Sequence, residues 1–330
     1  MSGPVGSSHW MYNAGGGAAT YWGDRGVNCG DSGGTRDANV IDYITISSTG
    51  NSSDFGDLAN GRGTCCAMSN GPRGVIGTGY EGSGAGGSNQ TISYITFATT
   101  GNDTDFGDTG FGSNSSVGGS NGTRGLIWAN GYSCTTRQTI VYITMDTTGN
   151  ASDFGDPSIA AVGRGGCVNS DTRCVQATAA WCFANNDVIE YVTFDTLGNA
   201  SDFGDMLFSG NTFGDGVSDG VRGIWGGTQY GTSSNWANMG GMEYITIATT
   251  GNSTGFGNHT VTNNDSYNHN GAREGAACNN DTRGCFMGGH PYYAIRNNID
   301  YITIQTTGDA ADFGDISSGT SNSSGGTSGD

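Results

Sequence analysis

The stretch Tyr43-Ile44-Thr45-Ile46-Ser47-Ser48-Thr49-Gly50-Asn51-Ser52-Ser53-Asp54-Phe55-Gly56-Asp57 occurs six times in closely similar form, beginning at Tyr43, Tyr94, Tyr142, Tyr191, Tyr244 and Tyr301. Successive tyrosines are 51, 48, 49, 53 and 57 residues apart, so the chain is an array of units about fifty residues long. β-Branched and aromatic residues dominate the Tyr-Ile-Thr-Ile run, which reads as a strand. Alternation puts Ile41, Tyr43 and Thr45 on one face and Ile44 and Ile46 on the other. A strand apolar on both faces belongs to a sheet packed between two neighbours. The Thr49-Gly50-Asn51 that follows supplies residues suited to a hairpin into an Asp-Phe-Gly-Asp strand.

Working outward, a second landmark recurs 18 to 22 residues before each tyrosine: Arg25, Arg73, Arg124, Arg173, Arg222 and Arg283, each opening a short apolar and glycine-rich run. Upstream lies a run of small residues, such as Gly61–Asn70 or Gly271–Asn279. Each unit therefore offers four short extended segments. Four antiparallel strands repeated radially make a β-propeller blade, and six units make a six-bladed ring. The 62 glycines among 330 residues oppose long helices, each interior glycine costing a helix about 1 kcal/mol relative to alanine. Thirty acidic residues face twelve arginines and no lysine, for a net charge of −18, a balance that repels nucleic acid. No apolar run approaches the roughly 20 residues of a membrane-spanning helix, and Met1–Val5 do not start a classical export signal. The expectation is a chain without membrane insertion.

The Arg-Gly-apolar-apolar-Gly-Gly pattern, then Tyr-Ile-Thr, then an aromatic fourth strand, resembles a divergent kelch unit. Phe55, Phe106, Phe154, Phe203, Phe256 and Phe313 stand where kelch repeats place tryptophan, and the double glycine survives at Gly226-Gly227 and Gly288-Gly289. The variant with Ile-Asp-Tyr-Ile-Thr-Ile and Thr-Gly-Asn-Ala-Ser-Asp-Phe-Gly-Asp is similar to arrays in structural proteins of tailed phages, especially marine cyanophages. That resemblance covers about residues 22 to 315. It implies an all-β, six-bladed kelch-like β-propeller that serves as a virion component, tail- or fibre-associated, assembled in the host cytoplasm beside other virion subunits. The alternative class is a secreted bacterial adhesion or filament-forming protein.

Enzyme motifs do not withstand context. Asp-Phe-Gly occurs five times, but a kinase has one such motif and needs a lysine. Gly77–Gly82 and Gly216–Gly220 match a dinucleotide fingerprint and a nucleophile elbow, yet neither opens a plausible helix. The four histidines are scattered, so no cofactor, no metal and no catalytic residue is assigned, and the chain is read as a non-enzyme. Repeated acidic pairs, among them Asp54 with Asp57 and Asp105 with Asp108, raise a calcium alternative. Two carboxylates fall well short of six to eight oxygen ligands, so turn capping or pairing with the repeat arginines is the preferred reading. Arg73, Arg124, Arg173, Arg222 and Arg283 are accordingly expected to bond acidic or carbonyl groups within or between blades. The nine cysteines show no metal-type spacing and read as small core thiols. The sequons at Asn51, Asn102, Asn150, Asn199 and Asn252 lie inside the repeated hairpin and read as turn residues.

Unit length varies most in the last two units. Tyr230 and Trp236, then Tyr267 and His269, lie in inserted loops and are the candidate ligand-binding residues, with host-surface glycans as the candidate ligand. The chain divides into residues 1–14, an N-terminal segment for ring closure or subunit contact; 15–315, the propeller; and 316–330, a Gly/Ser-rich tail. Such a tail is expected to be mobile unless a neighbouring subunit holds it, which points to a homo-oligomer or larger assembly.

Overall fold

The computed structural model describes residues 22–31, 38–81, 87–113, 115–130, 139–159, 165–178, 187–207, 215–226, 241–260, 275–289, 296–319 and 324–330. Twenty-four strands form six separate four-stranded antiparallel sheets, and the described residues contain no helix. The inner strands touch in cyclic order, with Gly325–Gly329 between Ala276–Asn279 and Cys66–Ser69, so the sheets surround one axis. The molecule is a six-bladed β-propeller.

Blades 2 to 6 share one plan, with an inner strand of small residues, the arginine strand, the Tyr-Ile-Thr strand and the Asp-Phe-Gly outer strand. Blade 1 departs from it. Its second, third and outer strands are Arg25–Cys29, Val40–Thr45 and Ser53–Asp57, but its inner strand is Gly325–Gly329, paired antiparallel with Arg25–Cys29. The propeller therefore includes residues 324–330. Those residues are not the tail expected from composition, and the chain itself holds them. The reason is steric. Two positions of this strand have no room for a side chain: a Cβ on Gly329 would lie 2.0 Å from the Gly71 carbonyl oxygen, and one on Gly326 would lie 2.3 Å from that of Ala277. Glycine at those two positions is what the close approach requires, and it leaves Thr327 as the one β-branched residue of the strand. The N-terminal segment 1–14 lies outside the described residues.

The core consists of six clusters, each at the seam between two blades. Val27, Cys29, Ile41, Phe55 and Leu58 of blade 1 meet Cys65, Ala67, Ile76, Ile95 and Phe97 of blade 2, and the other five seams repeat the pattern. Within one third strand, Ile41 and Tyr43 face the following blade while Ile44 and Ile46 face the preceding one, which is why both faces are apolar.

The two ends of the ring differ. At one end the third and outer strands are joined by seven residues in every blade (46–52, 97–103, 145–151, 194–200, 247–253, 304–310). The inner and second strands of blades 2 to 6 are joined there by three residues each, as at 70–72 and 121–123. At the opposite end the second-to-third connections run from 5 residues (82–86) to 15 (226–240), and the passages between blades from 6 (109–114) to 17 (259–275). A uniform end thus backs a variable one.

Candidate functional site

The six-fold motifs are explained at the seams. On the arginine strand, the Arg73 backbone N–H donates to Asn70 Oδ1 (3.0 Å), closing a side-chain-capped turn, and Arg124, Arg222 and Arg283 repeat it with Asn121, Asp219 and Asn280. The guanidinium then lies over the tyrosine of its own blade, 4.3 Å from the Tyr94 centroid for Arg73 and 4.3 to 5.0 Å in all six blades. The tyrosine meets the Asp-Phe-Gly phenylalanine edge-on, at 5.9 to 6.3 Å between centroids. Each arginine also donates across the seam to a backbone carbonyl of the next blade: Arg73 to Met145 (3.0 Å), Arg173 to Ile247 and Ala248, Arg222 to Ile304, Arg283 to Ile46, Arg25 to Phe97 and Arg124 to Phe194. The acceptor is a carbonyl, not one of the repeated aspartates. A planar cation that stacks and donates at once is an arginine property, which lysine would not reproduce.

The outer strand is stitched to the next blade's hairpin. Gly101 N–H donates to the Phe55 carbonyl (2.7 Å) and Asp103 N–H to that of Asp57 (3.0 Å), while Asp57 N–H donates to Asn102 Oδ1 (3.1 Å). Asn51, Asn150, Asn199, Asn252 and, in the sixth seam, Asp309 do the same. The sequon asparagines therefore cap a neighbouring blade rather than their own turn. The phenylalanine sits in a β-bulge between the pairs Ile41↔Gly56 and Asp42↔Asp54, which sends its ring inward. Gly56 follows at φ +150°, where a Cβ would lie 2.3 Å from the Gly101 carbonyl oxygen. Asp54 and its equivalents Asp105, Asp153, Asp202 and Asp312 project outward and are exposed. Among the described residues no group of three or more His, Cys, Asp or Glu side chains comes together, so the calcium alternative gains no ligand set.

Towards the variable end, a polar group on the third strand receives hydrogen bonds from the preceding blade. Asp42 accepts from Ser318, Ser93 from Arg62 (2.7 Å), Glu190 from Ser158, and Glu243 from Leu207 N–H (2.9 Å). Asp300 accepts from Thr260 and pairs with the buried His259, Nδ1 at 3.2 Å. Burial pushes the Asp300 carboxyl up, but the bonds from His259 and Thr260 override it and hold the group below its ordinary value. Among the described residues no cation pairs with Glu190, and burial raises it.

On the axis lies a cavity of about 60 Å³ lined by all six inner strands. Side-chain bridges knit the strands around it: Ser120 Oγ to the Ser69 carbonyl (2.7 Å), Ser218 Oγ to that of Asn169 (3.0 Å), and Asn279 Nδ2 to that of Ser218 (2.7 Å). Its one charged group is Asp215, whose carboxyl accepts the N–H groups of Gly216 (3.1 Å) and Gly326 (3.4 Å). The residue keeps some exposed surface, but the carboxyl itself is enclosed, and burial pushes it from 3.8 to about 7. The hub can hold water-sized species and is too small for an organic ligand.

Shallow pockets also recur on the uniform end, at Tyr244, Thr246, Thr249 and Asn252 in blade 5 and at Tyr191, Thr193, Thr196 and Asn199 in blade 4. Their tyrosine rings are already engaged by Arg222 and Arg173 and by the edges of Phe256 and Phe203, so they offer no free stacking face. The loop candidates Tyr230, Trp236, Tyr267 and His269 lie outside the described residues. The strands that flank them, Arg222–Trp225 with Gly241–Thr246 and Thr254–Asn258 with Ala276–Asn279, end at the variable end of the ring. Seven cysteines are free and buried, while Cys134 and Cys182 lie outside the described residues. The arginine–tyrosine stack and the asparagine stitch are functional parts of the scaffold that motif reading missed. Their signal was the fixed register of Arg, Tyr and Asn in every unit.

Compared with known proteins, the chain matches no family model and no curated sequence.

Proposed function

We propose that this propeller is a structural and recognition module of a tailed-phage particle, tail- or fibre-associated, whose variable end meets host-surface glycans or a neighbouring virion subunit. The observation that carries this reading is the asymmetry of the ring. Connections of constant length at one end give six equivalent, hydrogen-bonded seams, while connections of 5 to 17 residues are confined to the other. Loops free to vary on a fixed scaffold are where recognition is usually built. An acidic surface suits the same role. The repeat arginines are half-buried in the seams while Asp54, Asp105, Asp153, Asp202 and Asp312 are exposed, so the outer strands present an acidic surface that disfavours a nucleic-acid partner. The internal repeat, similar to that of phage structural proteins, supplies the particle.

The test has two arms. Mass spectrometry and cryo-electron microscopy of purified particles should find the chain at a defined tail position; its absence from washed particles would favour a secreted adhesion protein instead. A glycan array with the isolated chain should give a signal that Trp236→Ala and Tyr230→Ala reduce at least tenfold. Equal adsorption of wild-type and Trp236→Ala particles removes the glycan contact.

A further inference from the structure

The seam between blades 3 and 4 breaks the six-fold pattern. Trp128 of blade 3 and Gln176 and Glu190 of blade 4 are each fully buried there. Gln176 and Glu190 are direct cross-strand partners, so their side chains leave the sheet on the same face. Trp128 packs in the cluster of the same seam with Cys167, Cys174 and Val192. Among the described residues, four polar atoms of these three side chains have no hydrogen-bond partner: Trp128 Nε1, Gln176 Nε2, Gln176 Oε1 and Glu190 Oε1. The other Glu190 oxygen accepts from Ser158 N–H (2.7 Å) and Ser158 Oγ (2.6 Å), and the Ile159 N–H approaches the same carboxyl.

An unpaired buried donor or acceptor forfeits its bonds to water, so four in one seam call for an occupant that satisfies them. Four of the other blades carry an apolar residue at the position of Gln176 (Ile76, Ile127, Trp225 and Phe286), while blade 1 carries the buried Asn28 opposite Asp42; at that of Trp128 stand Cys29, Gly77, Ala177, Gly226 and Met287, so the indole is what this seam adds. Trp225, the other fully buried tryptophan of the arginine strands, has its indole N–H paired with the Gly166 carbonyl (2.9 Å). The chemistry of the orphaned set selects its ligand. The indole N–H and the amide NH₂ repel a cation, and the carboxylate oxygen repels an anion. What fits is a small neutral species able to donate and accept together.

The geometry points to an internal hydration site between blades 3 and 4, in which one or two ordered waters bridge Trp128 Nε1, the Gln176 amide and Glu190 Oε1. Buried waters of this kind make two to four hydrogen bonds to such groups and exchange slowly. The site would serve as a polar link between two blades whose connection, 156–165, is longer than that between blades 2 and 3, 109–114.

Two measurements test it. A near-atomic-resolution structure of the full chain should show water within hydrogen-bonding distance of at least three of the four atoms. Magnetic relaxation dispersion of water should count one or two more long-lived internal waters in the wild type than in the Gln176→Leu/Glu190→Leu variant. Trp128→Phe, which removes the donor and trims the buried ring, serves if that pair fails to fold; it should shorten the residence time at least several-fold or abolish the site. Equal counts in wild type and variants overturn the proposal. So does a structure in which Gln176 Nε2 bonds Glu190 Oε1 directly, or one in which a different solute fills the seam.

Discussion

Replacing Gly56 by alanine is the sharpest test of how the ring is held together. At this residue φ is +150°, and the new methyl carbon would lie 2.3 Å from the Gly101 carbonyl oxygen and 2.4 Å from its carbon. Both are backbone atoms, so no side chain can swing aside. Forcing the blades apart carries an overpacking cost of about 1–3 kcal/mol, and a left-handed backbone on an L-residue adds about 1–3 kcal/mol. The displacement also strains three bonds of the stitch: Gly101 N–H to Phe55 O (2.7 Å), Asp103 N–H to Asp57 O (3.0 Å) and Asp57 N–H to Asn102 Oδ1 (3.1 Å). Since strain relieved in one place is not charged again in another, the expected loss is about 3–5 kcal/mol rather than the full sum. Urea titration followed by tryptophan fluorescence and by circular dichroism measures it, the two probes together checking that unfolding remains a single transition. Gly101→Ala is the control: φ there is +157°, so it carries the same backbone strain of about 1–3 kcal/mol, but its methyl meets nothing within 4 Å, and the difference between the two variants isolates the clash at the seam. If the two variants are equally stable, the seam is not what fixes the Asp-Phe-Gly-Asp motif.

Three further outcomes are expected. Arg173→Met should lose about 2–4 kcal/mol, combining charge-assisted bonds to the Ile247 and Ala248 carbonyls with the stack on Tyr191, whereas Arg173→Lys should lose about half as much; thermal melts of both variants decide. Deleting residues 324–330 removes the strand that pairs with Arg25–Cys29, and protection of the Val27 and Cys29 amides against hydrogen exchange should fall at least a hundredfold while the outer strands of blades 3 and 4 keep theirs. Asp215, with its folded pKa raised from 3.8 to about 7, binds a proton on folding between those values, so its contribution to stability is complete below pH 3.8 and declines as pH rises through 7; the full interval is worth at most about 4 kcal/mol. Asp215→Asn should flatten the stability profile over that range, and an unchanged slope in urea titrations would contradict the enclosed carboxyl.

The blade was legible because its signals are local and repeated. Ile44 and Ile46 alternating with Tyr43 announced a strand covered on both faces, and the structure places them against different neighbours. The arginines announced themselves by number and position, although their stacking on tyrosine required knowing that the second and third strands pair with Arg25 opposite Thr45 and Val27 opposite Tyr43. The closing strand was not legible. Gly-Gly-Thr-Ser-Gly at 325–329 carries one β-branched residue, Thr327, and no aromatic one, because its conformation is set by close packing at the axis and by a partner almost the whole chain away. Nor could the sequence pair Asn102 with the preceding blade: the asparagine recurs from unit to unit, but the Asp57 N–H that it accepts lies in another sheet, 45 residues away, and no spacing within a unit points to it. The loop candidates Tyr230, Trp236, Tyr267 and His269 rest on composition alone.

The closing strand also sets a timetable. Arg25–Cys29 emerges from the ribosome early, yet its inner partner begins 296 residues after it ends, at Gly325. Until then blade 1 has three strands and a bare edge, a surface that invites pairing with another chain. Five blades can mature during synthesis while the first waits, so the nascent protein would benefit from a chaperone or from slow, dilute production, and the yield of well-formed rings should depend on expression rate more than on the intrinsic strength of any single blade.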